Sequence, residues 1–321
     1  MTQFSHAKST TLLNTAMDSS NDGDQIIVDS IFREFPQLKH LPEVPTHRAP
    51  TSTELALARS SKVLIVTGTN ILTGVAGSDR QWPLTEREVD AYAGKVVFLG
   101  VGWRDYETTI APDRAALIRR LRHPDIPVAA RDGYTHERLI SLSVASANTG
   151  CPTMWSLPDR LSTPGSRDEC VFTLTDYRPD RVRDHILIRA LSHTYRHVHL
   201  WPQSEKDSIR AQSLRLPRNV HTSPRGLGAL ETSLEGRDYV GTRLHAGVRA
   251  MQLGSPALVA AVDNRAIEIG RDTNLPVVAR SKGTRAILRI LRSAEKTTDL
   301  TLPKAEIKAW KESLTALLEK P

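Results

Sequence analysis

KVVFLGVGWRDYETTIAPDRAALIRRLRHPDIPVAARD, residues 95–132, decides the fold. KVVFLGVGW is a short apolar run without the apolar-polar alternation of a half-exposed strand, which is how a strand covered on both faces reads. DRAALIRRLRH (113–123) follows with apolar residues at helical spacing, and PVAARD (127–132) is apolar again. Strand, helix, strand over this length is the crossover that joins parallel neighbours.

The same unit repeats on either side. Upstream, STTLLNTA reads as a strand, MDSSNDGDQ as a polar loop and IIVDSIFREF as a helix. LPEVPTHRAP reads as proline-rich loop, TSTELALARS as a helix capped by Thr or Ser, and KVLIVTG (62–68) as another doubly covered strand. Downstream, YTHERLISLSV is helical, and LPDRLSTPGSRDE (157–169) has the composition of a linker. The alternation then restarts with CVFTLTD, DHILIRALSHTY, HVHLWPQ, DSIRAQSLR, ARSKGTRAILRILRSAE and a closing helix AEIKAWKESLTALLEK. The expectation is an α/β protein of two facing Rossmann-like domains, residues 1–165 and 166–321, with ligands bound in the cleft between the carboxyl ends of their strands.

Composition sets the outer limits. The 321 residues are long enough for two cores, and 39% hydrophobic with 25% charged residues is the balance of a folded globular chain. No apolar run approaches the roughly 18 to 20 residues of a membrane span, and the start MTQFSHAKSTTLLN lacks the apolar stretch of a secretory signal, so a cytoplasmic location is expected. Cys151 and Cys170, the two cysteines, are expected as reduced thiols. The net charge of +7 favours anionic partners: phosphorylated metabolites, nucleic acid or the anionic inner face of a membrane. Scattered arginines, with no zinc-finger spacing or aromatic RNA-binding signature, argue against nucleic acid. His193, His197 and His199 are spaced like metal ligands without a carboxylate or cysteine close in sequence to complete a set, so no metal is expected. Gly68, Gly74 and Gly77 miss both the Walker and the dinucleotide-binding spacing.

The chemistry concentrates at Gly241-Thr242-Arg243-Leu244-His245-Ala246, between a strand RDYVG and the apolar stretch AGVRAMQLGSPALVAAV. A strand-to-helix turn presents backbone N–H groups and a positive helix end to an anion. Arg243 adds a fork for carboxylate or phosphate, and His245 adds a ring that exchanges a proton near neutral pH. A structural histidine beside a surface arginine is the competing reading.

GTRLHAGVRAMQLGSPALVA resembles the hallmark segment of the polysaccharide pyruvyl transferase family, and three more stretches are similar to that family in the expected order. Asn21-Asp22-Gly23-Asp24 looks like its Asn-x-Gly-Asp loop. Ala130-Arg131-Asp132 looks like its Arg-Asp turn, with TGCPTMW as the next strand end. Asp263-Asn264-Arg265-Ala266 sits where the family often carries a lysine, and the family is usually richer in consecutive glycines than the Gly68 to Gly77 stretch.

The resemblance implies a glycosyltransferase-B-like fold and transfer of a pyruvyl group from phosphoenolpyruvate, as a substrate with no cofactor, to a pair of sugar hydroxyls as a ketal. The acceptor it implies is a glycan or lipid-linked saccharide. Arg131, Arg243 and Arg265 would then surround the donor's phosphate and carboxylate, with Asn21 also on the substrate. His245 would protonate the donor's methylene carbon. Asp24 and Asp132 would take hydroxyl protons or orient the acceptor, although for Asp132 a helix cap is the stronger reading. Two alternatives stay open: a glycosyltransferase of the same fold using a nucleotide sugar, and a glycan- or anion-binding protein without turnover.

Overall fold

In the computed structural model, which describes residues 10–75 and 82–320, the unbroken apolar runs become parallel strands buried on both faces. The first unit comprises β1 (Thr10–Asn14), α1 (Asp22–Glu34), β2 (Glu43–Pro45), α2 (Ser52–Ser60), β3 (Val63–Thr67), α3 (Glu86–Tyr92), β4 (Val96–Leu99), α4 (Pro112–Leu121), β5 (Val128–Ala130), α5 (Gly133–Ser141) and β6 (Ser146–Asn148). Strands run in the order β2-β1-β3-β4, all parallel. A parallel bridge between Val101 and Ala130 carries the sheet on to β5, which pairs with β6. Local signals set the helix starts: Thr51 and Glu54 close a reciprocal capping box on α2.

The second unit holds β7 (Arg160–Ser162), β8 (Glu169–Thr173), α6 (Arg181–Thr194), β9 (His197–Leu200), α7 (Glu205–Gln212), β10 (Val220–Thr222), α8 (Leu227–Leu234), β11 (Asp238–Gly241), α9 (Leu244–Gln252), β12 (Ala257–Ala261), α10 (Asn264–Thr273), β13 (Val277–Ala279), α11 (Thr284–Leu291) and β14 (Thr297–Asp299). Its six-stranded sheet is parallel throughout, in the order β10-β9-β8-β11-β12-β13. That order is the doubly wound one of a Rossmann unit, reversing between β8 and β11. Cys170, Phe172, Val240 and Leu258 fill its core against Leu187, Leu191 and Ile287.

Several expectations are corrected. LPEVPTHRAP is not all loop: it contains β2, and Pro45 is tolerated there because β2 is the sheet edge. Helix α1 begins at Asp22 rather than after the polar loop. The stretch with a linker's composition carries β7, paired antiparallel with β14. The boundary falls at Trp155/Ser156 rather than 165/166, and Ser20–Ile26 belongs with the second unit. The closing helix (Lys304–Glu319) packs on the first unit, not the second. Its apolar stripe Ile307, Trp310, Leu314 and Leu317 is buried, the Trp310 indole N–H donates to Pro127 O at 2.8 Å, and Lys311 pairs with Glu34. TGCPTMW lies beyond β6 and forms a short 3-10 turn at Pro152–Met154. Cys151 and Cys170 are buried free thiols. Gly77 and the first nine residues lie outside the described residues. Among the described residues no helix is long and apolar enough to cross a membrane.

Candidate active site

The strand order of the second unit reverses between β8 and β11, and the carboxyl ends of strands at such a reversal are the place where open α/β sheets bind ligands. Gly241 ends β11 there. A Cβ on it would lie 2.2 Å from Thr173 Oγ1 and 2.7 Å from Thr173 N, so only glycine lets the two strand ends meet. Thr173 then holds the turn. Its carbonyl accepts from Thr242 N at 3.0 Å, and its Oγ1 accepts from Arg243 N at 3.1 Å. The Tyr239 hydroxyl donates to Arg243 O at 2.7 Å, so its oxygen is left to accept from the Thr173 hydroxyl, also at 2.7 Å.

These bonds fix Arg243 as the N-cap of α9 and place His245, 6% exposed, in its first turn. The Arg243 side chain does not cap α9. The positive end of α9 therefore faces the carboxyl ends of β8 and β11, the position of an anion site in such sheets.

The Arg243 side chain is buried in an ion pair. Its Nε donates to Asp207 Oδ2 at 2.9 Å and its Nη2 to Asp207 Oδ1 at 2.6 Å and Asp176 Oδ1 at 2.8 Å. Nη1 makes no hydrogen bond among the described residues. Asp207 itself sits in the first turn of α7, where Ser204 caps the helix and the Asp176 N–H donates to Asp207 Oδ1 at 2.8 Å. Burial pushes the Asp207 carboxyl above its ordinary range against the pull of Arg243.

Tyr177 joins Arg243 and Arg265. Arg243 lies over its ring at 4.9 Å from the centroid and Arg265 at 5.3 Å. Its hydroxyl donates to Asp263 Oδ2 at 3.1 Å and accepts from Arg265 Nη2. Burial raises the phenol's pKa more than the two cations lower it, so it keeps its proton. Asp263 caps α10 through Arg265 N and accepts from Arg265 Nε at 2.9 Å. Burial works against the Arg265 charge; Asp263 foremost, then Tyr177 and Asp24, outweigh it and raise its pKa.

The Asn21–Asp24 turn belongs to the same unit. Asn21 Nδ2 donates to Asp24 Oδ2 at 3.2 Å, and the Gln203 amide donates to Asn21 Oδ1 at 2.9 Å. A Cβ on Gly23 would lie 2.5 Å from Gln203 Nε2, so any larger residue in this turn would push the Gln203 amide aside. Loops after β8, β9, β11 and β12 and the Asn-Asp-Gly-Asp turn thus converge on one cluster.

Arg131 and Asp132 form a second cluster, in the first unit. The Arg131 side chain is 1% exposed, with Nη2 bonded to Asn70 Oδ1 and Nε to Asp132 Oδ2 at 3.3 Å. Asp132 caps α5, accepting from Thr135 N at 2.8 Å, the structural role favoured for it.

Two features differ from the sequence reading. Arg131, Arg243 and Arg265, expected as cations around the donor, are each already matched with a carboxylate. His199 does have a carboxylate beside it, Glu169 Oε2 at 2.9 Å, because β8 and β9 bring the two into neighbouring positions. No group of three metal-ligating side chains forms among the described residues. Asp176, Tyr177, Gln203 and Asp207 were missed. The signal for Tyr177 is an aromatic residue in the loop that leaves a buried strand, TLTDY.

A model of the polysaccharide pyruvyl transferase family matches residues 21–264. The crystal structure of Methanocaldococcus jannaschii UDP-GlcNAc 2-epimerase in complex with UDP-GlcNAc and UDP is similar in fold. Its TM-score is 0.57 at 9% identity, covering 96% of this chain and 99% of that one. That likeness identifies the architecture as glycosyltransferase-B-like. A comparison with curated proteins gives no match.

Proposed function

The chain belongs to the polysaccharide pyruvyl transferase family, and from that premise we propose that it transfers pyruvyl from phosphoenolpyruvate to two hydroxyls of one sugar, as a ketal. The observation that carries the donor assignment is the start of α9: a helix N-terminus at the β8/β11 reversal, with Arg243 as its N-cap and His245 in its first turn. Phosphoenolpyruvate presents a phosphate and a carboxylate, and the helix amides with Arg243 Nη1 offer N–H donors to such groups.

In the reaction, protonated His245 gives its proton to the donor's methylene carbon, turning it into a methyl group and leaving the adjacent carbon electron-poor. One sugar hydroxyl attacks that carbon, and Asp24 takes its proton. The carbon–oxygen bond to phosphate breaks with its electron pair on phosphate, which leaves with the proton Asp24 took, and the second hydroxyl adds as its proton passes to the now neutral His245. Phosphoenolpyruvate and a diol thus give a ketal and inorganic phosphate. Arg243 is fixed by Asp207 before the donor arrives, so little side-chain ordering remains at binding. Asp132 and Arg131 serve the fold of the first unit in this reading, through α5 and Asn70.

The test is a phosphate-release assay with phosphoenolpyruvate and saccharide diols, beside a thermal titration with the donor alone. Donor-dependent stabilisation that vanishes in Arg243→Lys supports the assignment, since lysine keeps the charge and loses the fork. The nucleotide-sugar alternative makes the opposite prediction: a uridine nucleotide sugar stabilises the chain and phosphoenolpyruvate does not.

A further inference from the structure

Helices α6 and α11 pack side by side and turn a basic face to solvent. Arg181, Arg183 and Arg189 on α6, with Lys282, Arg285 and Arg289 around α11, are all exposed. No residue between 280 and 292 is acidic. The two carboxylates of this region are already engaged: Asp180 with Arg183 at 2.6 Å, and buried Asp184 with Arg210. Among the cations stand two aliphatic side chains, Val182 at 69% and Ile186 at 49% exposure, one helical turn apart. Between the helices lies a groove of about 700 Å³ that Val182, Ile186, Lys282 and Arg285 help to line.

We propose that the α6–α11 face docks on an anionic lipid surface. Cations alone would suit any polyanion. Exposed Val182 and Ile186 gain nothing from a hydrated polyanion, but they lose their water when a helix lies in the boundary between headgroups and acyl chains. Basic residues around an aliphatic pair are the combination that such a boundary selects, the cations for anionic headgroups and the aliphatics for the layer beneath.

The loop between β8 and α6 runs from this face to Tyr177, three residues before Asp180, so the docked surface and the arginine cluster share one short segment. Docking would bring the cluster to the layer where a lipid-borne saccharide is held. That last consequence rests on the pyruvyl-transfer reading, whereas the docking itself does not.

The test is sedimentation of the full chain with phosphatidylcholine vesicles, with and without phosphatidylglycerol, in the absence of donor. Binding is expected with the anionic lipid and not without it. Each cation near such a surface contributes roughly fivefold in partitioning, so Arg181→Ala/Arg285→Ala/Arg289→Ala together should weaken it roughly 100-fold. Ile186→Asp should weaken it as well, although it adds only one charge. Phosphate release on a soluble saccharide, measured in parallel, should stay unchanged in both variants, which separates docking from the reaction. Parent-like vesicle binding by the triple variant overturns the proposal. So does an Ile186→Asp variant that binds normally while heparin displaces the chain from vesicles, which would assign the face to soluble polyanions.

Discussion

Replacing Arg243 by methionine removes the guanidinium and keeps most of the side-chain volume, which isolates the charge. Asp207 is then left 3% exposed with the Asp176 N–H and no cation. Breaking a buried pair by deleting one partner costs about 3 to 5 kcal/mol. The carboxylate can escape that cost by taking a proton, and this sets a ceiling. From an unfolded pKa near 3.9, protonation at pH 7 costs about 4 kcal/mol, and at pH 5 about 1.5 kcal/mol. The sign follows from the direction of the shift. Burial raises the folded-state pKa of Asp207, so its folded form is favoured where it is protonated, and that stability is lost as pH rises through the raised value.

The deficit of Arg243→Met should therefore be large at pH 7 and small at pH 5. At roughly 2 to 4 °C per kcal/mol for a unit of this size, the melting temperature should fall by roughly 8 to 16 °C at pH 7 and roughly 3 to 6 °C at pH 5. Scanning fluorimetry at the two pH values reads this directly. Adding Asp207→Asn removes the stranded charge, so the double variant at pH 7 should regain most of the difference while remaining unable to release phosphate from the donor. An equal deficit at both pH values, or no rescue by Asp207→Asn, would refute the reasoning, because it would mean that Arg243 acts through packing rather than through charge.

His245→Ala should lower kcat by roughly 10²- to 10⁴-fold, the span of a general acid, with donor-induced stabilisation changed only a few-fold; unchanged turnover would remove His245 from the reaction. Tyr177→Phe keeps the ring against both guanidiniums and deletes the hydroxyl that links Asp263 to Arg265, so it should cost about 1 kcal/mol in thermal denaturation, whereas Tyr177→Ala should raise the donor KM as well. Gly23→Ala should displace the Gln203 amide and break its bond to Asn21; a drop in kcat/KM with nearly unchanged melting is expected, and parent kinetics would argue that the turn has no part in the site.

What the sequence made legible, and what it did not, divides along physical lines. Parallel strands buried on both faces have no choice but to be continuously apolar, so VLIVT and VVFL announced themselves, and with them the α/β class. Glycines and caps that serve a local turn were equally plain: Thr51 before Glu54, and Asp132 three residues before Thr135. Amphipathic periodicity tells a helix which of its faces is covered, but not which core covers it. The stripe Ile307, Trp310, Leu314 would fit either unit, and its assignment turns on partners nearly two hundred residues away, such as Pro127. The arginine cluster failed for a related reason. Arg243 and Arg265 were visible because a cation at a strand-to-helix turn is out of place in a buried crossover. Asp207, Asp176 and Tyr177 looked like ordinary helix-start and loop residues, since nothing in their own neighbourhoods requires them. Only the strand order, which sets β9 and β12 on either side of the β8/β11 reversal, brings their loops to the same arginines. The cations were legible as chemistry, and the carboxylates that fix them became legible only as topology.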